Sequence, residues 1–188
     1  MLSPRLEVET YGATRRLFLR GLAGAMAAAA VAPGRLLAGP KEERLLSFVH
    51  THTHEHLTVP YFADGAYLPE GLSTLSSFLR DFRTGDEHPI DPALCDILND
   101  LRLATGTKSP FHVISAYRSP HTNAMLRESG RGVAKGSLHL QGRAIDVRLA
   151  DVGSASLRDA AIELQRGGVG YYRGPDFVHV DTGRVRRW

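Results

Sequence analysis

Apolar and polar side chains alternate over Arg44–His50 and again over Glu55–Phe62, a period of two that predicts a hairpin of short strands joined by a polar turn. The period then lengthens. Leu72, Leu75, Phe78, Leu79 and Phe82 recur at three and four residues, which predicts an amphipathic helix from Pro69 that ends before Gly85. Asp91-Pro92 offers a cap and a proline at the first helical position, and Leu94, Ile97, Leu98 and Leu101 form the apolar stripe of a second helix closed by Gly106. Phe111–Tyr117 reads as a strand, Ser119-Pro120 as the start of a further helix, and the glycine-rich Gly130–Gly136 as a loop. Ala144–Leu149 is a predicted strand and Ser154–Arg166 a predicted helix, with Leu157, Ala161 and Leu164 inward and Gly167 and Gly168 ending it. Gly170–Tyr172 and Phe177–Val180 supply the last two strands, antiparallel neighbours across Arg173-Gly174-Pro175. The expected class is therefore α+β: a small, mainly antiparallel sheet with helices packed on one side.

At 188 residues the chain has room for one domain with a sizeable core. Its net charge of +3 suggests nucleic acid only until the charges are located. Residues 1–40 hold Arg5, Arg15, Arg16, Arg20 and Arg35 against Glu7 and Glu9, leaving 18 basic and 18 acidic side chains from residue 41 onward. Nucleic acid is not an expected partner. Thr14-Arg15-Arg16-Leu17-Phe18-Leu19-Arg20 precedes an alanine-rich apolar run from Gly21 to Ala32, the pattern of a twin-arginine export signal. That run is shorter than the roughly 20 apolar residues a membrane span needs. The expectation is a signal segment over residues 1–40, cleaved on export to the periplasm, with no stable membrane insertion afterwards and a functional domain over residues 41–188. Cys95 is the sole cysteine, so no internal disulfide can form, and its place on an apolar helix face predicts a buried, inert thiol.

The densest chemistry lies in Ser137-Leu138-His139-Leu140-Gln141-Gly142-Arg143-Ala144-Ile145-Asp146 and in Phe177-Val178-His179-Val180-Asp181. His139, Asp146 and His179 sit on elements that a compact sheet brings together. Two imidazoles and a carboxylate make a three-residue zinc set, which leaves the fourth tetrahedral position for water, as a hydrolase requires. Such a hydrolase needs a base. Asp176, three residues before His179, is the first choice and Asp181 the reserve, with the alternative that Asp181 orients an imidazole. Arg118, at the end of a strand, can stabilise a developing oxyanion or hold a substrate carboxylate, and Ser137 can hydrogen-bond a ligand or the substrate. His50, His52, His54 and His56 fall at every second position and read as an exposed, partly charged edge strand, since no further ligand type accompanies them.

The motif Ser137-x-His139-x-x-Gly142-x-Ala144-x-Asp146, followed by Asp176-x-x-His179, resembles the metal motifs of the LAS group of zinc peptidases. That group includes D-alanyl-D-alanine carboxypeptidases, VanX-type dipeptidases and murein endopeptidases. Ser115-Ala116-Tyr117-Arg118-Ser119, Arg131-Gly132-Val133-Ala134-Lys135, Gly167 to Tyr172 and Phe177 to Gly183 are similar to its YcbK-like branch of exported murein endopeptidases, as are the double arginine and the final Arg187-Trp188. The resemblance implies the LAS fold of hedgehog and D,D-peptidase domains. It implies zinc on His139, Asp146 and His179, Arg118 assisting the carbonyl, and a peptide cross-link of peptidoglycan as substrate, between two diaminopimelate residues or, to a lesser degree, at a D-alanyl link. It leaves the base open between Asp176 and Asp181. Other readings of the same residues are a non-catalytic peptidoglycan-binding module, a D,D-carboxypeptidase or dipeptidase, and a metal carrier using the His50–His56 array.

Overall fold

The computed structural model describes residues 42–130 and 133–188. The expected export segment, and Arg131 and Gly132 of the glycine-rich loop, lie outside the described residues. The described chain builds strands β1 (Glu43–His50), β2 (His56–Ala63) and β3 (Ala66–Tyr67), then helices α1 (Pro69–Phe78) and α2 (Pro92–Thr105). Strand β4 (Phe111–Ser115), helix α3 (Pro120–Glu128), a 3-10 turn (Leu138–Gln141) and β5 (Ala144–Arg148) follow. Helix α4 (Ser154–Leu164) and strands β6 (Gly168–Tyr172), β7 (Phe177–Asp181) and β8 (Arg186–Arg187) complete it.

All the strands join one eight-stranded sheet in the order β3-β2-β1-β4-β5-β7-β6-β8. The sheet is mainly antiparallel, as expected, but it is larger than the sequence indicates and carries parallel pairings at β1–β4 and β6–β8. Alternation assigns its faces. Leu46, Phe48, Tyr61, Val113, Ile145, Val147, Val178 and Val180 join Leu75, Leu94, Leu98, Leu101 and Leu157 of the helices in one buried core. Helix α1 packs on β2, α2 on β1 and α4, and α4 on β6 and β7. Residues Asp146, His179 and Asp181, one step out of phase with that core, therefore face away from it.

Local chemistry explains the ends. Asp91 caps α2 by accepting the Ala93 N–H at 3.0 Å, and Ser119 caps α3 by accepting from Thr122 at 3.2 Å. Helix α1 stops at Phe78, short of the predicted end near Gly85. The reason is tertiary: buried Asp81 accepts the backbone N–H groups of Arg83 at 3.0 Å and Ser119 at 2.9 Å, tying the loop to the start of α3 instead of continuing the helix. Cys95 is buried in α2, and burial pushes its thiol up to about 12, which makes it unreactive.

The histidine array is not an edge strand. His50 ends β1 inside the core, beside Phe78 and Phe82, His52 stacks on Phe82 at 4.2 Å, His54 takes a left-handed φ of 60°, and His56 opens β2. The alternation thus spans a turn, and the four rings share no face. His50 has a structural role: its Nδ1 accepts the N–H groups of His52 and Thr53 at 3.2 and 3.3 Å. Burial, with His52 nearby, lowers its pKa from 6.5 to about 4. Between those values the unfolded chain takes up a proton that the folded one refuses, so this stabilisation is complete above pH 6.5 and is lost as pH falls toward 4. The expected loss is about 2–3 kcal/mol. His50→Asn retains an acceptor near the Nδ1 position and does not titrate. Urea midpoints compared between pH 7 and 4.5 should fall less steeply for it than for the parent protein, and parallel profiles would exclude His50 as the cause.

Candidate metal centre and active site

Three segments meet on the open face of the sheet. His139 lies in the 3-10 turn, which Ser137 starts by accepting the His139 N–H at 3.4 Å and Gly142 ends with a left-handed φ of 64°. Glycine is required at 142 on a second ground, since a Cβ there would lie 2.2 Å from the carbonyl oxygen of Pro89. Asp146 and His179 are register partners on β5 and β7, and Asp146 is also opposite Ser115 of β4. A break in register before Ser115 turns the chain out of the sheet, so that Ala116 O meets His139 Nδ1 at 2.6 Å and the Arg118 N–H reaches His139 O at 3.1 Å.

The ligand-type atoms form a tight triangle. His139 Nε2 is 3.2 Å from His179 Nδ1, His179 Nδ1 is 2.8 Å from Asp146 Oδ1, and His139 Nε2 is 3.4 Å from Asp146 Oδ1. All three residues are buried, and they are the metal-type cluster found among the described residues. Bonds of about 2.0–2.1 Å around a tetrahedral zinc separate its ligands by about 3.3 Å, and these edges bracket that value. The outward nitrogens each face an acceptor. A carbonyl only accepts, so His139 Nδ1 carries the proton toward Ala116 O; His179 stands between two carboxylates, Nδ1 at 2.8 Å from Asp146 Oδ1 and Nε2 at 3.0 Å from Asp181 Oδ2, and a cation in the triangle requires its proton on Nε2. Two inward nitrogens and a carboxylate oxygen are left aimed at one point, a donor set that fits a divalent cation.

The same crowding governs protonation in the metal-free protein. Burial lowers the His179 pKa, but hydrogen bonds to Asp146 and Asp181 outweigh it and bring the ring to about 8. Burial pushes Asp146 upward, and His139 and His179 more than reverse this, holding the carboxylate well below its usual range.

The sequence candidates separate into those at the cluster and those outside it. Arg118 is buried, with Nη2 at 3.4 Å from Ser115 Oγ and 3.9 Å from Asp146 Oδ2. Its Nε has no partner among the described residues. Ser137 lines the same cleft, of about 390 Å³, as do Tyr172, Phe177, Arg186 and Trp188. Asp181 is buried, and its oxygens accept from Gly168, Gly183, His179 and both terminal nitrogens of Arg186. A carboxylate so fully engaged orients His179; it is poorly placed to collect a further proton. Asp176 is not brought to the cluster. It sits exposed in the β6–β7 turn with φ of 56°, and its Oδ1 accepts from the Ser154 hydroxyl at 2.6 Å. Arg186 has no motif signal of its own, and Trp188 enters the sequence reading only through the family resemblance; the pairing of β8 with β6 brings both to the cleft.

The family model described as peptidoglycan L,D-endopeptidase MepK matches residues 38–188. The chain belongs to this family. It is 38% identical over 183 residues to the peptidoglycan L,D-endopeptidase MepK of Escherichia coli strain K12, an alignment covering 96% of this chain and all of that protein. It is also 38% identical over 170 residues to the probable peptidoglycan L,D-endopeptidase MepK of Haemophilus influenzae, covering 89% of this chain and 91% of that protein. The YcbK-like resemblance seen in the sequence is thereby confirmed. The family match includes every segment that contributes to the cleft.

Proposed function

We propose that residues 41–188 form a zinc-dependent peptidoglycan endopeptidase of LAS type that hydrolyses an L,D peptide bond in a murein cross-link. Residues 1–40 would be a twin-arginine signal that delivers it to the periplasm. The observation carrying this reading is the triangle of His139 Nε2, His179 Nδ1 and Asp146 Oδ1, with both outward imidazole nitrogens committed to acceptors. Zinc held there supplies Lewis acidity, which acidifies water and polarises a carbonyl.

The chain's own groups do the rest. Arg118 presents a buried donor without a partner among the described residues, and it would donate to the scissile carbonyl oxygen as negative charge grows there. Ser137, already fixed as a cap at the cleft wall, would hydrogen-bond the peptide. Asp181 holds the His179 ring. Asp176 is the carboxylate assigned to proton transfer: it precedes Phe177 of the cleft wall, and one of its oxygens is engaged by Ser154. In the structure it lies outside the cluster, so this role requires its carboxylate to leave Ser154 and turn into the cleft when the peptide binds.

The test is to incubate the purified domain with isolated peptidoglycan, with and without a chelator, and identify the released muropeptides by mass spectrometry. Cross-linked species should fall, the chelator should stop the loss, and added zinc should restore it. Asp176→Asn is expected to keep zinc affinity while losing about 100- to 10,000-fold in turnover. Asp181→Asn should instead lose about 10- to 100-fold in zinc affinity. Intact sacculi under zinc-replete conditions would favour the binding-module reading, and release of terminal D-alanine alone would favour a carboxypeptidase.

A further inference from the structure

Strand β6 places Gly168 and Gly170 on the face that carries His179 and Asp181, directly opposite them in register. Neither position has room for a side chain. A Cβ on Gly168 would stand 2.3 Å from Arg186 Nη1, and one on Gly170 would stand 2.7 Å from the indole of Trp188. The two glycines therefore leave a trough, and the side chains of Arg186 in β8 and of Trp188 just after it cross β6 through it to reach β7. Arg186 grips buried Asp181 with both terminal nitrogens, at 2.9 and 2.6 Å, while Asp181 Oδ2 faces His179 Nε2 at 3.0 Å. Trp188 lies with its ring centre 5.2 Å from that of His179, and its indole N–H donates to Tyr172 Oη at 3.1 Å. The Arg186 guanidinium also sits over the indole, 4.9 Å from the ring centre, joining the two contacts.

We propose that Arg186 and Trp188 are positioning residues of the metal centre, reaching across the glycine trough to hold His179 so that Nδ1 is the nitrogen offered to the ion. The inference rests on the zinc reading above and names residues outside the ligand motif that act on it. The physical case is one of alternatives removed. The buried Asp181 carboxylate needs a fixed counter-charge, and Arg186 supplies it in a two-pronged geometry that leaves Oδ2 aimed at Nε2. The imidazole can otherwise flip or exchange tautomers, and Trp188, packed with its ring centre 5.2 Å from that of His179, restrains it.

The experiment compares Arg186→Met, Arg186→Lys, Trp188→Phe and Gly170→Ala with the parent protein in two measurements. Zinc affinity is read by competition with a coloured chelator. The His179 tautomer, and with it the nitrogen offered to the ion, is read by long-range proton–nitrogen NMR on the zinc-loaded protein. Arg186→Met should weaken zinc about tenfold and give a mixed tautomer, with Arg186→Lys between it and the parent. Gly170→Ala, which displaces the indole and with it the ring on which Arg186 rests, should also weaken zinc. Arg187→Met is the control, because Arg187 pairs with Val169 and alternates to the other face. Zinc affinity within twofold of the parent together with an unchanged tautomer in Arg186→Met and Gly170→Ala would overturn the proposal. Should Arg186→Met fail to fold, Arg186→Lys and Gly170→Ala decide it by the same criteria. A parent protein that binds no zinc would remove the zinc reading, and the inference with it.

Discussion

His139→Ala should abolish stoichiometric zinc binding and, with it, turnover. Zinc sites with four side-chain ligands bind with roughly 10–16 kcal/mol of apparent free energy, so one ligand is worth about 2.5–4 kcal/mol, or about 70- to 1000-fold in affinity. His139 contributes more than a lone pair: its Nδ1–H satisfies the Ala116 carbonyl at 2.6 Å, and its own carbonyl accepts the Arg118 N–H at 3.1 Å. The imidazole would therefore tie a bound ion to the strand end that carries Arg118. Zinc content by mass spectrometry of the native protein, with denaturant unfolding of the metal-free form, separates lost ligation from lost folding. The parent site has a pH signature as well. His179 must release a proton to present Nδ1, and its pKa is about 8, so zinc affinity should fall about tenfold for each pH unit below that value. A His139→Ala protein that keeps one zinc at parental affinity would place the ion elsewhere and sink the assignment.

Much of this centre is legible in the sequence because its parts obey local rules. Asp91 and Ser119 are caps that the chain states outright, and both make the predicted hydrogen bonds. Alternation in Phe177–Val180 separates His179 from the core residues Val178 and Val180, and the same period in β5 separates Asp146 from Ile145 and Val147. What escapes the sequence depends on distant partners. Strands β3 and β8 have two residues each, too short for any period to register. Gly167-Gly168 reads as a helix stop, yet α4 already ends at Leu164 with Gln165 in a left-handed conformation, and Gly168 is empty so that Arg186 can pass. The alternating histidines mimic a strand by spacing alone, whereas the hairpin pattern over Arg44–Phe62 already puts a turn between His50 and Glu55, and the structure follows the hairpin. Asp176 is placed by spacing alone near His179, whereas its left-handed φ directs the carboxylate to Ser154.

Arg118→Met is expected to lower kcat by about 100- to 1000-fold with little loss of zinc, the cost typical of removing one preorganised donor from an oxyanion site. The geometry separates this effect from ligation. Arg118 Nη2 is 3.9 Å from the Asp146 oxygen that lies away from the triangle, while the ligand-type oxygen faces the two imidazoles. Removing a positive charge beside a cation site should leave zinc affinity equal or slightly tighter. The fold should also gain. Burial already lowers the Arg118 pKa, against the pull of Asp146, and its Nε has no partner among the described residues, an arrangement that costs about 1–3 kcal/mol until an acceptor arrives. Methionine fills similar volume without that cost, so the variant should unfold at a higher urea concentration while turning over far more slowly, the trade expected where a site is strained for function. Arg118→Lys keeps the charge but not the planar fork, and should recover only part of the rate. Zinc titration, urea midpoint and steady-state kinetics on one preparation test all of this. A kcat within threefold of the parent would transfer carbonyl stabilisation from Arg118 to another group in the cleft.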